Sequence, residues 1–129
     1  MVELLHIQIS PLNLLTEKQI KFVYAEEADV LNVALFGMTA KEWRERNPGL
    51  AKKGNIRDYT DLLHLVILNN LQNTNAELIE NNVPQSERLI RLNNSARRQM
   101  KSLQNNKNLH ELEKLQEQVN NERHLLEWL

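Results

Sequence analysis

The chain has no cysteine, which removes disulfides, thiolate metal sites and cysteine nucleophiles at once and suits a reducing cytoplasm. Aromatic residues make up only 5% of its 129 positions, so the core must be built mainly from Leu, Ile, Val and Ala. No apolar run approaches the roughly 18 residues that would span a membrane. The opening MVELLHIQIS has neither a basic start nor a small-residue cleavage pattern, so no secretory signal is read there. A chain of this length is one ordinary domain with a single modest core.

Catalytic signatures are missing too. There is no P-loop, no G-x-S-x-G, no dinucleotide-binding glycine pattern and no kinase motif. The four histidines, His6, His64, His110 and His124, fall in different segments. Asp61 and His64 share a helix face, but a metal needs a third and usually a fourth ligand, and none has matching spacing. His110-Glu111 lacks the second histidine of H-E-x-x-H. The sequence therefore points away from an enzyme and implies no cofactor, metal or small-molecule substrate. His64, beside Leu63 and Leu65, reads as a surface or hydrogen-bonded core residue.

What is present is helix punctuation. It is concentrated between Tyr24 and Tyr59, which holds all three glycines. Before it, Leu5, Ile7 and Ile9 suggest a short extended arm, and Pro11 interrupts any helix there. Thr16 and Gln19 have capping-box spacing, and Ile20, Phe22, Val23 and Tyr24 then bring apolar side chains to the core. A helix is expected over Ala25 to Phe36, with Glu26, Glu27 and Asp29 at its positive end. Val30, Leu31, Ala34 and Leu35 form its buried stripe, and Gly37 stops it. Thr39 and Glu42 make a second capping box, opening a helix that carries Trp43 inward and ends before Pro48.

This helix, glycine turn and capped helix have the spacing of a helix-turn-helix, with Lys41, Arg44 and Arg46 on the exposed side of the second helix. Residues 49–55 read as a surface loop with Lys52 and Lys53 at its tip. Thr60 or Asp58 then caps a long helix running to Glu80, its inner side lined by Leu62, Leu65, Val66, Leu68, Leu71, Leu78 and Ile79, with Ile67 widening the stripe. After a break at 81–83, Pro84 suits the first position of the next helix. Leu89, Leu92, Ala96, Met100 and Leu103 make one apolar seam along it. The short break favours an antiparallel hairpin. A last helix, 107–128, carries Leu112, Leu115, Val119, Leu126 and Leu129 near heptad spacing, interrupted by Glu122. Asn-Asn pairs recur every twelve residues from 69 to 105, but the next falls at 120. Twelve residues also rotate a helix by about 120°, so no face repeats.

A net charge of −1 conceals two basic bands, +3 over residues 39–58 and +4 over residues 84–105. The first contains Lys41, Arg44, Arg46, Lys52, Lys53 and Arg57, and the second Arg88, Arg91, Arg97, Arg98 and Lys101. The chain as a whole lacks the strong positive charge usual for nucleic-acid binders, so a mixed solvated surface is the plainer reading.

Three runs carry a family resemblance: YAEEADVLNVALFGMTAKEWRERNP, KGNIRDYTDLLHLVILNNLQNTNAELI and QSERLIRLNNSARRQMKSL. Together they are similar to the region that follows the DNA-binding module in bacterial, phage-related proteins of the KilA-N family, over about Tyr24 to Leu103. The resemblance implies an accessory helical domain of a regulatory protein, standing alone or cut from a longer chain. The KilA-N module itself lies upstream in such proteins, so its DNA binding transfers to no residue here, and no catalytic residue transfers either.

The expectation is thus an all-α fold. A small helical corner (12–58) is followed by a long antiparallel hairpin (59–105) and a C-terminal helix (106–129), in one domain. The expected function is non-catalytic: self-association or partner-protein binding, with Leu112, Leu115, Val119, Leu126 and Leu129 as the contact seam. The alternative is direct nucleic-acid binding through Lys41, Arg44, Arg46, Lys52, Lys53 and Arg57. No membrane contact is expected.

Overall fold

Three capping boxes, a left-handed glycine and a left-handed asparagine set where the chain turns. The computed structural model describes residues 14–104 and 107–128, with side chains in the last helix described over 111–123. The expected N-terminal arm and Pro11 lie outside the described residues. The fold is all-α: among the described residues there are seven α-helices, one 3-10 turn and no strand. Among them no helix is long and apolar enough to cross a membrane.

Helix α1 (Glu17–Lys21) is opened by Thr16, whose Oγ1 accepts from the Gln19 N–H while Gln19 Oε1 accepts from the Thr16 N–H. α2 (Glu27–Phe36) begins two residues later than its sequence pattern suggests, after the extended Glu26. Gly37 terminates it at φ 75°, where a glycine meets no Cβ penalty. α3 (Ala40–Arg46) starts on the Thr39–Glu42 capping box and carries Trp43 fully into the core.

The stretch expected as a loop is more ordered than its glycines imply. Pro48 starts a further helical turn, α4 (Pro48–Ala51), since proline's fixed φ and missing donor suit a first helical position. Asn55 and Asp58 form a third capping box around the 3-10 turn Ile56–Tyr59. Neither Thr60 nor Asp58 caps the long helix. Asp61 does, accepting from the His64 N–H at 2.9 Å, and α5 runs Leu62–Glu80. Its end is a Schellman motif: Val83 N–H donates to Leu78 O, Asn82 N–H to Ile79 O, and Asn82 sits at φ 59°. Pro84 then serves as the N-cap of α6 (Gln85–Leu103), not as its first residue. The last helix, α7, is Lys107–Trp128.

The core sits where α2 lies against the antiparallel α5–α6 hairpin. Val30, Val33, Ala34, Leu35 and Phe36 from α2 meet Ile67, Leu68 and Leu71 from α5 and Leu89, Leu92, Ala96 and Met100 from α6. Met38, Trp43 and Ile56 close the end, and the Trp43 and Tyr59 rings stack at 5.7 Å. Each fully buried side chain of this kind is worth about 1.5–3 kcal/mol relative to an exposed one.

Two apolar expectations are corrected. The inner face of α5 is Leu63, His64, Ile67, Leu68, Leu71 and Asn75, while Leu65 and Ile79 are exposed. α5 is apolar around most of its first two turns, so periodicity alone does not fix which stripe turns in. Phe22 and Val23 do not enter the core either. α1 stops at Lys21 and the extended chain that follows leaves Val23 80% exposed. Only Tyr24 of that run is buried, with the Phe22 ring resting on it at 4.8 Å.

Candidate interaction surfaces

A polar clamp ties the start of α2, the end of α5 and the start of α6 together beneath the surface. Arg88 on α6 is buried, and four of its five guanidinium N–H groups are hydrogen-bonded within the fold. Nε donates to Val83 O at 3.0 Å, Nη1 to Asn75 Oδ1 at 2.9 Å and to Glu27 Oε1, and Nη2 to Glu27 Oε2 at 3.2 Å. Asn75 Nδ2 donates back to Glu27 Oε1 at 3.0 Å. These hydrogen bonds, Arg88 first, hold the Glu27 carboxyl below its ordinary range. Glu27 also stands at the positive start of α2, where a carboxylate is favoured. Beside it, Gln85 exchanges two hydrogen bonds with the Tyr24 backbone, at 2.8 and 2.9 Å. Burial pushes the Tyr24 phenol up. At the other end of α2, Asn93 Nδ2 donates to Ala34 O, one of the carbonyls a helix end leaves unpaired.

This clamp reassigns much of the second basic band. Arg88 belongs to the interior, Arg91 pairs with Glu87 at 2.7 Å, and Arg97 donates to Asn94. Only Arg98 and Lys101 of that band are exposed without a described partner. Arg88 is therefore unavailable to a phosphate-binding surface, whereas Arg91 is exposed and its pair with Glu87 lies at the surface, and Arg97 is half-buried with its Nε unpartnered among the described residues.

The six basic residues of the corner are not gathered into one stripe. Lys41 and Arg44 lie three apart on the exposed side of α3. Arg46 turns away from them, into a cleft lined by Leu15, Gln19, Phe36 and Asn93. Lys52 and Lys53 are exposed in the turn after α4. Arg57 is half-buried and lines a groove between the 3-10 turn and α7.

That groove shows how α7 meets the body. Its walls are Arg57, Asp58, Thr60, Leu62 and Leu65 on one side and Gln116, Asn120 and Arg123 on the other. The helix thus turns a polar edge toward the body. Leu112, Leu115 and Val119 stay 53%, 55% and 44% exposed. On a helix turning about 100° per residue, this apolar seam lies roughly 75° around from the polar edge. The side chain of Leu126, and all of Leu129, lie outside the described residues.

His64 is a hydrogen-bonded core residue. Its Nδ1 lies 2.5 Å from Asp61 Oδ1 and its ring stacks on Phe36 at 5.9 Å, while Nε2 is buried without a partner. Among the described residues no three His, Asp or Glu side chains are grouped to hold a metal ion. Sequence reasoning missed the clamp because its members, at 27, 75, 85 and 88, share no spacing. Glu27 and Arg88 each look like ordinary helix-surface charges.

Compared with protein-family models, curated proteins and solved structures, the chain matches none of them.

Proposed function

We propose that the chain is a non-catalytic accessory domain whose C-terminal helix joins it to another protein chain, most simply a second copy of itself. The KilA-N resemblance sets this in a phage-derived regulatory protein. One observation carries the reading: α7 directs Gln116, Asn120 and Arg123 to the body and leaves Leu112, Leu115 and Val119 in solvent. An amphipathic helix that serves only its own fold does the reverse. The test is sedimentation over a wide concentration range, on the full chain and on a Leu112→Gln, Leu115→Gln, Val119→Gln variant. The full chain is expected to gain mass with concentration and the variant to stay monomeric with unchanged helix content. A monomer at every concentration, matching a chain that ends at residue 104, overturns it.

A second reading rests on Lys41, Arg44, Lys52 and Lys53, all exposed and without an ion pair among the described residues. It takes these cations to phosphates of a nucleic acid. Four phosphate contacts give a log–log salt slope of about −3.6 on duplex DNA. Neutralising the four should abolish a mobility shift seen at low salt. No shift with the unaltered chain removes this reading.

A further inference from the structure

The proposal rests on the association reading above and concerns who occupies the seam and how. Leu112 and Leu115 are three apart and Val119 follows four later, which sets a heptad with Leu112 and Val119 at a and Leu115 at d. The next d position is Glu122, which is exposed. Among parallel coiled coils a β-branched residue at a with leucine at d favours two strands, which Val119 and Leu115 satisfy and Leu112 does not, and a single polar core residue fixes register at a cost in affinity.

The place of the body decides direction. It lies on the Gln116–Asn120–Arg123 side, roughly 75° from the seam on the helix wheel. Paired helices lie about 8–10 Å apart. An antiparallel pair has its twofold axis perpendicular to the helices, which puts both bodies on the same side. There each copy carries α5 with α2 and α6 behind it, far wider than that separation. A parallel pair has its twofold along the helices and puts the bodies on opposite sides, clear of each other.

The flanking residues do not oppose a parallel pair, although Gln116 and Arg123 also edge the groove against their own body. In a parallel pair Glu111 would face Gln116 of the second copy and Gln118 would face Arg123, so no like charges meet beside the seam. The one electrostatic conflict is inside it, where Glu122 would meet Glu122.

We propose that the exposed seam of α7 binds the same helix of a second copy in parallel, and that Glu122 is the residue that keeps this pairing weak and in register. The two carboxylates share a core layer, so their mutual repulsion and desolvation oppose association directly.

The first test is sedimentation of the full chain with Glu122 altered. Glu122→Leu should tighten the dimer by about tenfold or more, and Glu122→Gln by a smaller factor. Because the chain has no cysteine, single cysteines then report direction under mild oxidation. Leu115→Cys should cross-link to itself, because d positions face each other in a parallel pair, and Gln118→Cys should not. Efficient self-linking by Gln118→Cys without Leu115→Cys would show an antiparallel pair and overturn the assignment. A dimer whose affinity ignores Glu122→Leu would overturn the role of Glu122 while leaving self-association standing. A chain that never dimerises, with or without Glu122→Leu, removes the association reading itself.

Discussion

Arg88 and Glu27 stand 61 positions apart in the chain and form a two-pronged ion pair, one guanidinium nitrogen to each carboxylate oxygen. The arginine is buried, while the glutamate side chain is 44% exposed. The pair is therefore unequal. Removing the glutamate leaves a buried cation with only Asn75 and the Val83 carbonyl, whereas removing the arginine leaves an acid that can still reach water.

Glu27→Gln is accordingly expected to cost about 2 kcal/mol, the worth of hydrogen bonds to a charged group. Arg88→Ala is expected to cost more, about 3–5 kcal/mol, because packing is lost with the charge. The double change Glu27→Leu, Arg88→Met should recover much of the loss. Urea unfolding of the four proteins measures this. A double variant no more stable than Arg88→Ala would mean that the clamp acts through something other than charge pairing.

The same pair sets an acid limit. The folded-state Glu27 carboxyl is held below its ordinary value. Its contribution is thus present above the unfolded-state value and is lost as pH falls through the folded one. Stability should decline on acidification across that window, and Glu27→Gln should flatten the decline. At the alkaline end the sign reverses. The Tyr24 phenol is raised, so its contribution is present below the unfolded-state value and fades as pH climbs through the folded one, and Tyr24→Phe should blunt that loss. Denaturant unfolding over a pH series reads both arms.

Two left-handed residues separate backbone effects from packing. Gly37 has open space around its absent Cβ, so Gly37→Ala tests conformation alone and should cost about 1 kcal/mol. At Asn82, which holds φ 59°, replacement by glycine should be neutral or slightly stabilising. Thermal melting distinguishes the two. Equal losses at both sites would point to an unrecognised contact of the asparagine side chain.

His64 gives a test within the core. His64→Phe keeps a ring against Phe36 and removes the unpartnered Nε2 but also the Nδ1 hydrogen bond to Asp61, so a net loss of about 1–2 kcal/mol is expected. Asp61→Ala should cost about 1 kcal/mol through loss of the α5 cap. A collapse of the fold in His64→Phe would show that the imidazole is needed for more than its shape.

Much of the fold was legible because local signals agreed with one another. The Thr16 and Thr39 boxes, Gly37 and the Leu89–Met100 seam each act within a few residues and appear where spacing puts them. Spacing failed where the decision was tertiary. Leu65 and Leu63 are equally apolar, and only docking of α2 chooses between them. Arg88 carries no mark in the sequence that sends it inward, because its partners come from three separate elements. The exposed seam of α7 followed from heptad spacing, but the polar edge it turns to the body needed the groove at Arg57 and Leu62 to be seen.

The clamp also orders events during synthesis. Arg88 needs the end of α5, the turn at Val83 and the start of α2 together, and α2 has its broadest packing on α6, made some sixty residues later. A chain leaving the ribosome residue by residue therefore carries its corner unroofed, with Phe36 and Leu35 lacking their cover, until α6 has emerged to close over them.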